Sequence, residues 1–230
     1  MIKFQSHQAF TFRLSLPPLK QLLLDFTRAP TPTFANYVPG ANAEAAHALE
    51  AAARGQCPER VIYIWGESGS GKTHLLRAFE TAAKAAYVEA RELGAELPGR
   101  VLAIDDIEGL GEDRQVALFN AFNDRGFDLA LVAANAAPRD VSLRRDLATR
   151  LATGLTYRVL PLTDDEKRAA LAAHAKVRGF DLREDVASYL LTHARRDMGS
   201  LVSALDALDR YSLETGRPVT VPLLKSALAA

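Results

Sequence analysis

Short apolar runs alternate with longer amphipathic stretches over the first two thirds of the chain. Val61-Ile62-Tyr63-Ile64-Trp65 is rich in β-branched and aromatic residues and predicts a buried strand. Val101-Leu102-Ala103-Ile104, ending in Asp105-Asp106, and Leu129 to Ala134, ending at Asn135, predict two more. Thr156 to Leu160 predicts a last strand, and Tyr87-Val88 a short one within 81–90. Helical spacing runs over Ala41–Ala53, from His74 onward, and over Leu143–Leu151. It also runs over Asp113–Asp124, with Val116, Leu118, Phe119 and Phe122 expected inward. Strands alternating with helices imply a parallel sheet covered on both faces.

Beyond Pro161-Leu162 only helical spacing remains. Thr163, with Glu166 three residues later, reads as a capping box opening a helix to about Val177, which Gly179 stops. Further helices fit Glu184–Ala194, Asp197–Glu214 and Val221–Leu228. The expected class is therefore α/β: a parallel-sheet core over 34–162 and a small all-helical module over 163–230. Pro17, Pro18, Pro30 and Pro32 break any long helix in 1–33, which predicts a mobile arm.

Composition narrows the classes. Of 230 residues 48% are hydrophobic, enough for a sizeable core. The 28 basic residues balance 28 acidic ones, so no overall basic field draws nucleic acid. Cys57 is the single cysteine, which excludes a disulfide framework and a cysteine zinc site. No apolar run approaches the roughly 18 residues that cross a bilayer, and Met1 to Phe12 lacks a signal-peptide core. A cytosolic protein without a membrane partner is expected.

The chemistry concentrates at Gly66-Glu67-Ser68-Gly69-Ser70-Gly71-Lys72-Thr73, which fits the phosphate-loop pattern G-x-x-x-x-G-K-S/T without a mismatch. The glycines let backbone N–H groups turn inward as a nest for phosphate oxygens. Lys72 can reach the β- and γ-phosphates and Thr73 can hold Mg2+. A strand before the loop and a helix from His74 after it set the phosphates at a helix N-terminus. Asp105 ends an apolar strand, where a carboxylate can hold Mg2+ through water, and Asp106 is placed to orient an attacking water. Asn135 either positions water or senses the γ-phosphate, or begins a turn before Pro138. Arg150 either reaches a neighbouring subunit's nucleotide or favours its own helix C-terminus. Arg195 and Arg196 either fold back on the phosphates or form a solvated pair. In the arm, Gln21-Leu22-Leu23-Leu24-Asp25-Phe26 makes a short linear motif whose Gln21, Leu22, Leu24 and Phe26 suit an apolar pocket. Arg13 to Pro18 is a weaker second candidate, lacking the glutamine.

In order along the chain these motifs resemble the DnaA-related AAA+ ATPases, and within them the Hda-like regulators. The resemblance covers about residues 20–230. It rests on Pro32 to Asn42, GESGSGKTH at 66–74, VLAIDDI at 101–107, Asn135, Arg150 and the Arg195-Arg196-Asp197-Met198 stretch. Hda-like rather than initiator-like features are three. The chain stops at Ala230 without a helix-turn-helix domain. Little room lies between His74 and Val101 for the helical insertion that DnaA and helicase loaders use on single-stranded DNA. The Gln21–Phe26 element is similar to the family's Q-L-x-L-x-F clamp-binding form. Two features depart from it: the residues before Gln21 exceed the family's usual start, and Asn135 stands where many relatives carry aspartate.

The resemblance implies an AAA+ core with a helical lid, binding ADP or ATP with Mg2+. It places Val38 and its neighbours beside the adenine and His74 at the end of the loop motif. Asn135 becomes sensor 1, Arg150 the box VII arginine finger offered in trans, and Arg196 sensor 2. The implied partners are DnaA and the β sliding clamp of DNA polymerase III, with DNA reached through the clamp, and a homo-oligomer is allowed. The implied role is negative regulation of replication initiation by stimulating ATP hydrolysis on DnaA, with weak turnover of its own. An autonomous ATPase of the helicase-loader or transposition-helper type is the alternative, and a scaffold that never hydrolyses nucleotide is a third.

Overall fold

The computed structural model describes residues 31–94 and 96–229. The five apolar runs form strands β1 (Val61–Trp65), β2 (Ala86–Glu89), β3 (Val101–Asp105), β4 (Leu129–Ala134) and β5 (Leu155–Arg158). They make one parallel sheet in the order β2-β3-β4-β1-β5. Each crossover carries a helix or turn, as parallel pairing requires.

Alternation along the central strands feeds two cores. Ile62, Ile64, Ala103, Leu131 and Ala133 meet Leu49 of α1 (Ala43–Ala53) and Leu75, Leu76 and Phe79 of α2 (Lys72–Ala83). Val61, Tyr63, Ile104 and Val132 point to the other face. There they meet Leu118 of α3 (Glu112–Asn123) and Leu147 and Leu151 of α4 (Arg145–Leu151). Side chains such as Leu75, Leu76 and Phe79 are fully buried, each contributing roughly 1.5–3 kcal/mol of hydrophobic stabilisation.

Three local expectations are corrected. Val116 is exposed, not inward, and Gln115 takes the buried position. The Gln115 amide donates to the Leu110 carbonyl (2.8 Å) and accepts from the Arg144 backbone N–H (2.7 Å). Those two bonds satisfy backbone groups that a valine could not. The Arg144 bond meets a residue whose backbone is not helical (φ −54, ψ 135), and α4 starts at Arg145 and not at Leu143. The last strand runs Leu155–Arg158. Val159 still donates to Trp65 (2.7 Å), but Leu160 leaves the sheet to bond Asn42.

Beyond Leu162 the chain forms α5 (Asp164–Val177), α6 (Glu184–His193), α7 (Met198–Thr215) and α8 (Val221–Ala229) around a core of their own. The capping box is present: Thr163 accepts from the Glu166 N–H, and Glu166 accepts from the Thr163 N–H (2.8 Å). The architecture is α/β as expected: a five-stranded parallel-sheet core followed by an all-helical module. Among the described residues no helix is long and apolar enough to cross a membrane.

Candidate nucleotide-binding site

The strand order sets β4 between β1 and β3. The loop after β1, the carboxylates after β3 and Asn135 after β4 therefore gather at the carboxyl ends of adjacent strands, where ligands of open parallel sheets bind. Two glycines show why the loop needs them. A Cβ on Gly66 would lie 2.1 Å from the Val159 carbonyl oxygen. Gly71 adopts φ +103 beneath the Tyr37 ring, a backbone that L residues rarely take. From there α2 begins at Lys72, and the first-turn N–H groups of a helix lack intrahelical acceptors.

Lys72 is only 7% exposed. Its ammonium donates to the carbonyls of Gly66 (2.8 Å) and Glu67 (3.0 Å) and to Oδ1 of Asn135 (3.2 Å). Burial pushes its pKa down, and the carboxylates of Asp105, Asp106 and Glu108 oppose that shift. Glu67, Ser68 and Gly69 form the exposed rim of the loop, and Ser70 Oγ is buried without a hydrogen-bond partner. An orphaned hydroxyl in a glycine-rich turn that leads into a helix N-terminus fits a cradle for phosphate oxygens.

The donors beside it suit a hard cation. The Thr73 hydroxyl donates to Asp105 Oδ2 (2.8 Å), and the Asp106 N–H donates to Oδ1 (3.0 Å). Asp106, exposed just after the strand end, is in the left-handed region (φ 48). Partial burial, and then the charges of Asp105 and Glu108, push the Asp106 carboxyl up. A divalent cation would offset that crowding of negative charge. Among the described residues no cluster of three His, Cys, Asp or Glu could hold a metal alone. A site of one hydroxyl and one carboxylate suits Mg2+ completed by nucleotide phosphates.

Val38 is half-buried in the segment that passes the loop. Next to it Tyr37 packs against His74, ring centroids 5.3 Å apart. His74 Nε2 lies 3.0 Å from the Thr33 carbonyl, and burial lowers its pKa. The remaining expected residues are not brought to the loop. Arg196 is paired with Asp164 at the start of α5 (2.6 Å). Arg150 is exposed, its guanidinium 5.6 Å from the Phe122 ring centroid. It lines an open cleft of about 750 Å³ with Phe119, Arg144, Arg145, Asp146 and Thr149. Gln21, Leu22, Leu24 and Phe26, and the second candidate at 13–18, lie outside the described residues.

Three residues near the site escaped the sequence reading. Tyr87 donates its hydroxyl to Asp105 Oδ2 (3.0 Å). Glu108 accepts the Asn135 backbone N–H and so ties the end of β4 to the turn after β3. Asn42, only 3% exposed, joins Leu160 through both ends of its amide. Nothing local marks Tyr87, Asn42 closes the Pro32–Asn42 motif without a role of its own, and the acidic run Asp105-Asp106-x-Glu108 was a signal for Glu108.

The family described as bacterial DnaA ATPase domain matches residues 29–94, which include the phosphate loop. The family described as Hda, lid domain, matches residues 164–228. Among solved structures, domain III of Thermotoga maritima DnaA is 22% identical, with a TM-score of 0.70 over 88% of this chain and 98% of that one. DnaA from Aquifex aeolicus bound to AMPPCP is 21% identical, with a TM-score of 0.64 over 80% of this chain and 67% of that one. The Thermotoga maritima RuvB Holliday junction branch migration motor is 18% identical, with a TM-score of 0.59 over 81% and 66%. These structures share the fold. The ATPase-domain match supports nucleotide binding at this loop. A DnaA-type ATPase segment thus leads into an Hda-type lid, and the chain resembles the DnaA-related AAA+ proteins, Hda among them.

Proposed function

We propose that this chain is an Hda-like negative regulator of replication initiation. It binds the DNA-loaded β sliding clamp through Gln21, Leu22, Leu24 and Phe26 and stimulates ATP hydrolysis on DnaA. The observation that carries this reading is Arg150: it is exposed beside Arg144 and Arg145 in an open cleft whose lining includes no residue of the chain's own loop. Its recorded neighbours are the aromatic rings Phe119 and Phe122. A guanidinium held by ring faces keeps its N–H donors for a phosphate on another molecule, and such a finger is worth about 10³–10⁵ in rate. A place in DnaA-type replication initiation is the coarser reading that both family matches support.

The chain's own site would bind ADP or ATP, with Lys72 on the phosphates and Thr73 and Asp105 holding Mg2+. Bound Mg2+ neutralises phosphate charge. Val38 would lie by the adenine, and Arg196 would exchange Asp164 for phosphate and so fix the lid. Copies could associate as a homo-oligomer. A second reading, an autonomous ATPase, is favoured by Asn135 on Lys72 and by Asp106 beyond Asp105, an amide and a carboxylate suited to orienting water.

The test is a DnaA ATP-hydrolysis assay with and without this protein, clamp and DNA. Stimulation should need all three components and vanish in Arg150→Ala, with ADP affinity of the variant unchanged. Wild-type stimulation by the variant would place the finger elsewhere. Turnover without DnaA, raised by single-stranded DNA, would favour the second reading.

A further inference from the structure

We propose that Tyr87 is a positioning residue of the magnesium–nucleotide site, acting through Asp105. The proposal rests on nucleotide binding at the loop and is independent of the clamp and DnaA reading. Tyr87 lies on the edge strand β2, in register with Ala103 of β3, two residues before Asp105. Diagonal neighbours across a sheet are within reach of an aromatic side chain. The phenol spans that diagonal and donates to Asp105 Oδ2 at 3.0 Å, and the Thr73 hydroxyl donates to the same oxygen at 2.8 Å.

Asp105 is only 4% exposed, so water has little access to orient it. The Asp106 N–H holds Oδ1, but without Tyr87 the Oδ2 oxygen would be held only by Thr73 of the loop helix α2. Tyr87 holds it from the other side, the neighbouring strand. The ring is itself fixed: the Arg77 guanidinium of α2 lies 3.3 Å from its centroid and pairs with Glu80 (3.1 Å). Arg77, Tyr87, Asp105 and Thr73 thus form a closed chain of contacts between α2 and two strands. Its function is to keep the carboxylate oriented toward the cation site when Thr73 is engaged by the metal.

Tyr87→Phe removes one oxygen and keeps the ring under Arg77. ADP affinity of the full chain is measured by titration calorimetry in Mg2+ and in EDTA. The EDTA affinity should be unchanged, while the enhancement given by Mg2+ should fall about tenfold, as expected for losing one hydrogen bond to a charged group. Asp105→Asn should abolish that enhancement, and adding Tyr87→Phe to it should change nothing further, because the two act in series. Thermal unfolding without nucleotide checks that each variant is folded. A Mg2+ enhancement unchanged in Tyr87→Phe overturns the proposal, as does an equal loss in both buffers, which is what a purely structural tyrosine would give. Wild-type protein that binds no ADP in either buffer overturns the nucleotide reading and this proposal together. Binding that is intact but without DnaA stimulation leaves Tyr87 in place and removes only the regulatory reading.

Discussion

Replacing Asn42 by alanine should loosen the joint between the sheet and the lid. The Asn42 amide donates to the Leu160 carbonyl at 2.8 Å and accepts from the Leu160 N–H at 2.7 Å. Its third contact, to the Tyr37 hydroxyl, is long at 3.4 Å and contributes little. Two well-formed bonds at about 1 kcal/mol each give a loss of about 2 kcal/mol. Leaving a buried peptide group unsatisfied would add to that, but Leu160 is 37% exposed, so water can replace part of what is lost. For a chain of this size about 2 kcal/mol lowers the melting temperature by roughly 4–8 °C. Asn42→Asp should be at least as damaging: it keeps the acceptor for the Leu160 N–H but sets a carboxylate against the Leu160 carbonyl. Calorimetric melting and urea denaturation of both variants measure this. A loss below about 0.5 kcal/mol in Asn42→Ala, the range of an ordinary surface change, would refute the role given to Asn42 at this joint. Asp better tolerated than Ala would refute it too.

Lys72→Ala should weaken ADP and ATP binding at least tenfold, about 1.4 kcal/mol, and unchanged affinity in calorimetry would remove the phosphate role of this loop. His74 should make stability fall on acidification: burial lowers its folded pKa, so the unfolded chain takes up the proton first. That stabilisation is complete above the unfolded value of about 6.5 and is lost as pH falls below it toward the folded pKa. Melting temperatures between pH 7 and 5 should show a shallower slope in His74→Gln, and an equal slope would refute the assignment. On immobilised clamp, Leu24→Ala with Phe26→Ala should remove most binding, since each buried side chain contributes roughly 1.5–3 kcal/mol before the ordering of the arm is subtracted. Deleting residues 1–18 should leave clamp binding largely intact, and the reverse pattern would move the motif to Arg13–Pro18.

Features governed by a few consecutive residues were legible in the linear chain. The apolar runs at 61–65, 101–104 and 129–134 are strands because their length and branching suit a sheet covered on both faces. The loop at 66–73 and the Thr163–Glu166 capping box follow from the backbone needs of glycine turns and helix ends. The inward face of α3 was misread because hydrophobicity ranks Val116 above Gln115. The amide wins where it bonds two backbone groups, one of them on Arg144 well along the chain.

The assembled site depends on distant pairs. Lys72 meets Asn135 across 63 residues, Thr73 meets Asp105 across 32, and Asn42 meets Leu160 across 118. Such contacts exist only once the strands take the order β2-β3-β4-β1-β5, which sets three strand ends side by side. Local pattern specifies which segments extend and which coil, because propensity and capping act within a turn or two. It carries no term for strand order, which is set by how all the helices cover both faces at once. Tyr87 gained its place beside Asp105, and Arg150 its cleft with Phe119 and Arg144, from that packing.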